Sequence, residues 1–343
     1  MPRPRAAVNI VARPDTIADR RAGDTYLDTI RLLHFSDPHF GLGVRRVPLR
    51  DWPGKRLAGG LNLLRGRGRR FRHAPSRVAS LALFAERQGA DAAVCTGDLS
   101  ALGTEAELEA ARDAVAPFFR ARLGFVCIPG NHDLYTAAVL RERRFERRFA
   151  EGLATDLPEL RADGPWPLVR LFGETTAVVA VNSARPNPIP WRSSGFVPPV
   201  QLEALRAAIA HEAVRDRFVL IATHYAPRRA DGTADTPLHG LRNADDLLTI
   251  CADVRRGAIL CGHIHRAFRV VPEIGPEIVC GGSATIEGHE SAWWLEIGPA
   301  SAEIRPVRWD GADWTLGAPE PVAAPRRVPG RPRPEGFHPD AER

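Results

Sequence analysis

Lysine is nearly missing from this chain of 343 residues: Lys55 is the single one, and the other 46 of its 47 basic residues are arginine. With abundant alanine, glycine and proline, this is the bias of a GC-rich genome, so the net charge of +6 is a weak sign of a nucleic-acid partner. Aromatic residues are only 7% of the chain, too few for a groove that stacks unpaired bases, and a nucleic-acid partner is disfavoured. Cysteine is scarce and odd in number: Cys95, Cys127, Cys251, Cys261 and Cys280 all lie in or beside apolar runs. Buried free thiols in a reducing, cytoplasmic setting explain this better than a disulfide framework. No run approaches the roughly 20 apolar residues of a membrane span. The first 28 residues hold no apolar stretch of signal-peptide type, so no secretory signal is expected. The hydrophobic share of 44% is ample for a core.

Against these absences stands one positive pattern. Asp37, His39, Asp98, Asn131, His224, His263 and His265 each follow an apolar run that reads as a buried strand: 30–35, 92–95, 125–128, 218–222 and 258–261. In open α/β sheets the carboxyl ends of strands line one crevice, so these distant residues are expected to converge. Any one of them has an ordinary reading, a satisfied core histidine or a turn former such as Gly-Asn. Their joint placement at five strand ends points to a metal site. Two carboxylates, an amide and four imidazoles exceed the needs of one ion and suffice for two if a carboxylate bridges. A nitrogen and oxygen set without thiolate suits Mn, Fe, Zn, Co or Ni, divalent or trivalent. Two such ions form a clamp for displacement at phosphorus.

The motifs Asp37-x-His39, Gly97-Asp98, Gly130-Asn131-His132-Asp133, His224 and Gly262-His263-x-His265 occur in the order of the calcineurin-like metallophosphoesterases, a family the chain resembles. The resemblance implies an α/β fold, a four-layered α/β/β/α sandwich of two mixed sheets flanked by helices. It implies that Asp37, His39 and His265 hold one metal and Asn131, His224 and His263 the other. Asp98 would bridge them, together with a hydroxide that attacks phosphorus. By the same resemblance His132 protonates the leaving oxygen, with Asp133 fixing its ring. The other histidines are read as ordinary, His34 and His239 being the first exceptions to check.

Position suggests further substrate contacts. Arg266, next to His265, would reach a phosphate oxygen, and Tyr225, beside His224, would line the leaving-group pocket. The loop 226–240 would form a wall. Between Arg45 and Arg72 lie ten basic residues and one acid, interleaved with Trp52, Leu57, Leu61, Leu63, Leu64 and Phe71. This insertion leaves the sheet after His39 and is expected to overhang the crevice, where guanidinium groups would hold phosphate or an anionic membrane surface. Lys55-Arg56-Leu57 followed by Leu61-Asn62-Leu63 resembles an insertion in the branch that cleaves UDP-2,3-diacylglucosamine in lipid A synthesis.

Elsewhere, helices are expected over 74–88, 104–122, 136–150 and 200–211, with Ser76 and Thr104 as N-caps and Glu107 completing a capping box with Thr104. A hairpin is expected over 168–172 and 175–182. Strands at 267–271, 277–280, 292–297 and 302–307 are expected to close the second sheet. The expected organisation is a disordered lead at 1–28, one domain over 29–310 with the insertion 45–72, and a disordered Pro/Arg-rich tail at 318–343. The expected activity is a two-metal phosphoesterase acting on a phosphodiester, ranked first as a 3',5'-cyclic nucleotide by resemblance to the class III branch. A diacylglucosamine pyrophosphate is the alternative, a nuclease the third, and a non-catalytic metal-binding module the reading of another class. The protein is expected in the cytoplasm, with peripheral contact at the inner membrane face as a variant of that reading.

Overall fold

The apolar runs serve two different cores, and residue alternation sorts them. The computed structural model describes residues 29–42, 55–62, 68–187, 189 and 191–327. Its strands are β1 (Ile30–Phe35), β2 (Ala92–Cys95), β3 (Phe125–Cys127), β4 (Leu168–Phe172), β5 (Thr176–Ala180), β6 (Phe218–Tyr225) and β7 (Arg256–Gly262). They continue with β8 (Ala267–Val270), β9 (Glu277–Gly281), β10 (Ser291–Ile297), β11 (Ala302–Trp309), β12 (Trp314–Leu316) and β13 (Glu320–Pro321). The helices are α1 (Lys55–Asn62), α2 (Gly68–Arg70), α3 (Ala74–Arg87), α4 (Glu105–Val115), α5 (Ala137–Arg141), α6 (Arg144–Arg148), α7 (Pro199–Ala210) and α8 (Ala244–Cys251).

One sheet runs β12-β11-β10-β1-β2-β3, with β13 also on β11, and the other runs β4-β5-β6-β7-β9-β8. In the second sheet Val178, Leu220, Leu260 and Val279 share a core with Leu32, Leu33 and Val94 of the first. Their chain neighbours Val179, Val219, Ile259 and Ile278 join Leu202 and Leu205 of α7 and Leu247 and Leu248 of α8 in a second core. Successive side chains point to opposite faces of a strand, so one run of apolar residues fills both layers. Helices α3 and α4 send Val78, Leu81, Leu108 and Ala111 into the first core. The four-layered α/β/β/α sandwich is the result. All five cysteines are buried and free. Among the described residues, no helix is long and apolar enough to cross a membrane.

Several expectations need correction. Of the four strands after His265, β8 and β9 join the second sheet, but β10 and β11 join the first, β10 pairing antiparallel with β1 (Leu33 opposite Trp294). Periodicity reports a buried strand, not its neighbour. The helix expected over 136–150 is broken at Arg143, whose φ is +50°. The segment 104–122 ends its α-helix at Val115 and continues as a 3₁₀ turn. Ser76 does not cap α3; His73 holds that position and Ser76 Oγ donates to its carbonyl. Within the stretch expected as tail, β13 pairs with β11, and Arg326 exchanges backbone hydrogen bonds with Gly275. Residues 1–28, 43–54, 63–67 and 328–343 lie outside the described residues, and with them most of the expected disordered ends and part of the insertion.

The capping box of α4 is present, Thr104 Oγ1 accepting from Glu107 N while Glu107 Oε2 accepts from the Thr104 and Leu102 amides. Burial pushes the Glu107 carboxyl from its ordinary 4.5 up to about 7. The folded pKa thus exceeds the unfolded one, so stability is full below about pH 4.5 and falls as pH rises through about 7. The total is up to about 3 kcal/mol at 1.36 kcal/mol per unit. Urea titrations of the parent at pH 5 and pH 8 are expected to differ by an amount that Glu107→Gln reduces; equal differences in both proteins would sink the assignment.

Candidate metal centre

Among the described residues, six non-glycine residues have a positive φ, and five of these are Asp37, His39, Asp98, His263 and His265, between +47° and +69°. Side chains other than glycine pay about 1–2 kcal/mol for that backbone, and such residues gather at functional sites. Each lies where the chain turns off β1, β2 or β7, and the left-handed residue folds its side chain back over the strand end. Two glycines make the approach feasible. A Cβ at Gly130 would collide with Asp98 Oδ1, and one at Gly262 with Ser36 Oγ and Asp37 Oδ2. This is the physical reason for glycine before Asn131 and His263.

The side chains converge as two groups. Donor atoms of Asp37, His39, Asp98 and His265 lie within 4.8 Å of one another, as do those of Asp98, His224 and His263; Asp98 belongs to both. Asn131 joins the second group, its Oδ1 3.2 Å from His224 Nε2. All seven expected ligands are therefore together, buried apart from the half-exposed His265.

A cation fits this arrangement. His39 Nε2 and His265 Nε2 stand 2.9 Å apart, and His265 Nε2 is 3.1 Å from Asp37 Oδ1. Among the described residues that buried carboxylate oxygen is met only by the His265 and His39 rings, a costly state for a charged group unless a positive ion meets it. Burial, then the neighbouring Asp37 and Asp133 carboxylates, push the Asp98 carboxyl well above its ordinary range. Burial likewise holds His263 well below the usual imidazole range, the neutral form that ligates metal.

The surrounding shell fixes which nitrogen each ring offers. His224 Nδ1 donates to Thr96 O at 2.7 Å, leaving Nε2 toward Asp98, and His263 Nε2 donates to His239 O at 3.1 Å, leaving Nδ1. Asp37 is held from below, its Oδ2 accepting from His263 N and its carbonyl from Ser283 Oγ.

Other expected residues fall differently. His132 Nδ1 bonds Ala101 O at 2.6 Å. Asp133 does not hold that ring: its oxygens accept from the amides of Leu99, Ser100 and Gly130 and from Ser100 Oγ. It clamps the loops carrying Asp98 and Asn131 together. Tyr225 is fully buried, its ring 4.2 Å from that of His263, and so supports the ligands from behind instead of lining an open pocket. Arg266 is exposed beside His265 and makes no ion pair among the described residues. His34 is no ligand; it meets Thr96 Oγ1 at 3.0 Å, and burial pushes it down to about 3. His239 contributes its carbonyl, while its ring pairs with Asp235. Two parts of the site had no sequence signal of their role: the Ala101 carbonyl, a backbone atom, and Phe71, whose ring lies 4.5 Å from that of His39.

Residues 30–267 match the sequence model described as calcineurin-like phosphoesterase. No curated protein matches the chain. Among solved structures, a dimetal phosphatase from Danio rerio aligns with a TM-score of 0.56 at 14% identity, over 86% of this chain and 99% of that one. A purple acid phosphatase from yellow lupin (Lupinus luteus) seeds aligns with a TM-score of 0.54 at 11% identity, over 87% of this chain and 54% of that one. This chain thus spans about half of the lupin enzyme. At such identities the likeness is one of fold.

Proposed function

From the premise that the chain belongs to the calcineurin-like phosphoesterase family, with an intact two-metal site of histidine and aspartate, we propose that it hydrolyses a phosphodiester. The observation that carries this reading is Asp98, shared by two converging groups of side chains, five of whose residues stand in left-handed backbone. Asp37, His39 and His265 would hold one ion, Asn131, His224 and His263 the other, with Asp98 between. When bound, such ions polarise the phosphoryl oxygens and acidify water.

The chain's own groups do the rest. Ala101 O accepts from His132 Nδ1–H, which leaves Nε2 as the ring nitrogen for the leaving oxygen; in the doubly protonated, imidazolium form Nε2 carries the proton to be given. As water adds to phosphorus one of its protons passes to solvent, the P–O bond to the leaving group breaks, its electron pair stays on that oxygen, and the Nε2 proton goes there, leaving a neutral ring that solvent reprotonates. Arg266, exposed beside His265, would pair with a non-bridging oxygen. Around them stand neutral rings, Phe71 against His39 and Tyr135 with its centroid 5.3 Å from that of His132. Such a wall favours a singly charged diester over a dianionic monoester. A 3',5'-cyclic nucleotide is the first substrate to try. The exposed Leu57 and Leu61 favour a nucleotide-linked lipid pyrophosphate as the second.

Metal-loaded protein is expected to contain two equivalents by elemental analysis and to cleave aryl phosphodiesters and 3',5'-cyclic nucleotides in preference to aryl phosphomonoesters. Full activity at one equivalent, or turnover of monoesters alone, would overturn the reading.

A further inference from the structure

Helix α1 is built inside out. Its buried face carries Arg56, Gly59 and Gly60, while Leu57 and Leu61, one turn apart, are 56% and 45% exposed. Surface helices normally turn their apolar stripe inward. The inversion has a clear cause. Arg56 donates Nε to Leu102 O at 3.0 Å and Nη2 to Gly103 O at 2.9 Å. At Gly59 a Cβ would strike the Tyr135 hydroxyl and Leu102, so only glycine lets the helix sit this close. The contacts that seat the helix are thus the ones that hold its leucines outward.

Two neighbouring turns continue the patch. Lys55 Nζ donates to Arg192 O at 3.2 Å, next to Trp191, which is 78% exposed. Ser193 N donates to the carbonyl of Leu238, itself exposed, at 2.9 Å. Among the described residues seven large apolar side chains are exposed, and five of them (Leu57, Leu61, Ile189, Trp191 and Leu238) lie on these three linked segments. Scattered exposed leucines need no explanation, but five on adjoining segments do. The patch borders the metal centre: α1 rests on Leu102 and Gly103, beside the Ala101 carbonyl that holds His132. On the other side, His239 follows Leu238 and receives the His263 ring.

We propose that this rim docks the protein on an anionic phospholipid surface, with the metal crevice turned toward the headgroups. Charge selects the occupant. Lys55 and Arg192 belong to the rim, and Arg69 and Arg70 are exposed beside the Phe71 that packs on His39. A second copy of the chain would bring these cations face to face, whereas an anionic bilayer neutralises them and takes up the leucines and the tryptophan at headgroup depth. The docking does not depend on which phosphoester is cleaved.

Sedimentation of the full chain with phosphatidylcholine vesicles, with and without phosphatidylglycerol, tests this. Binding is expected only with phosphatidylglycerol and is expected to weaken with added salt, which shortens the screening length to about 10 Å at 0.1 M. The triple variant Leu57→Ser, Leu61→Ser, Trp191→Ser is expected to lose binding by on the order of tenfold or more. Leu83→Ser with Val200→Ser, which removes exposed apolar groups elsewhere, should bind like the parent. Brominated lipid should quench tryptophan fluorescence in the parent and less in Trp191→Phe. Turnover of a soluble aryl phosphodiester by the triple variant at the parental rate would show the crevice intact. The proposal is overturned if the parent stays in the supernatant, if the triple variant sediments like the parent, or if the rim instead drives a dimer that the triple variant dissolves. A parent that binds vesicles but cleaves no phosphodiester would overturn the proposed activity and leave the docking standing.

Discussion

Asp98→Asn is expected to abolish hydrolysis, by on the order of 10³-fold or more, while the metal-free chain stays folded. Asp98 Oδ2 lies 3.7 Å from His39 Nε2 and 3.5 Å from His224 Nε2, and Asp98 alone belongs to both ligand groups. A neutral amide there leaves two cations without the charge between them. Metal ions supply several kcal/mol of transition-state stabilisation, and each 1.36 kcal/mol is about tenfold in rate. Folding should survive, because an asparagine oxygen can still accept the His132 amide that Asp98 Oδ1 receives at 2.7 Å. The substitution also removes a buried carboxylate that lies close to two others. Calorimetry without metal should therefore give the variant a Tm at or above that of the parent. Reloading should raise Tm in the parent and much less in the variant. A variant that keeps two ions and full kcat would sink the bridging role of Asp98.

His132→Ala is expected to separate chemistry from metal binding. The ring is pinned at Nδ1 by Ala101 O and stands 4.8 Å, centroid to centroid, from that of His39. Its loss should leave both ions in place and lower kcat on alkyl and nucleoside leaving groups by about 10²–10⁴-fold, the usual range for a general acid. Nitrophenolate leaves without help, so aryl diesters should suffer far less. Equal losses on both substrate types would mean that His132 positions the phosphate or stabilises charge and does not protonate. Asp133→Asn should behave differently, since its oxygens clamp the amides of Leu99, Ser100 and Gly130. It should lower thermal stability and metal occupancy together.

The ligand set was legible before the fold because its logic is local. Each ligand follows a short apolar run, and strand ends in α/β sheets meet at one edge. Side-chain chemistry and strand-end position together pointed Asp37, His39, Asp98, Asn131, His224, His263 and His265 to one site, and the fold brings them together. The capping box at Thr104 and Glu107 was equally readable, since both partners lie within one turn.

What tertiary structure decided was every relation carried by a backbone atom or by a neighbour distant in sequence. The Ala101 carbonyl, not the adjacent Asp133, holds the His132 ring, and no side-chain pattern marks a carbonyl. Tyr225 reads from its place beside His224 as a pocket residue, yet β6 buries it behind His263. Strands β10 and β11 carry the apolar pattern of any buried strand, and only pairing with β1 put them in the first sheet. Nothing in the sequence marks which face the leucines of α1 take, and Arg56 and Gly59 decide it by occupying the inward one. By itself the sequence determined which atoms can meet a metal, because donor chemistry and strand-end position are properties of short segments. The packing of distant segments against one another decided which way each side chain faces, because that depends on which neighbour fills the space first.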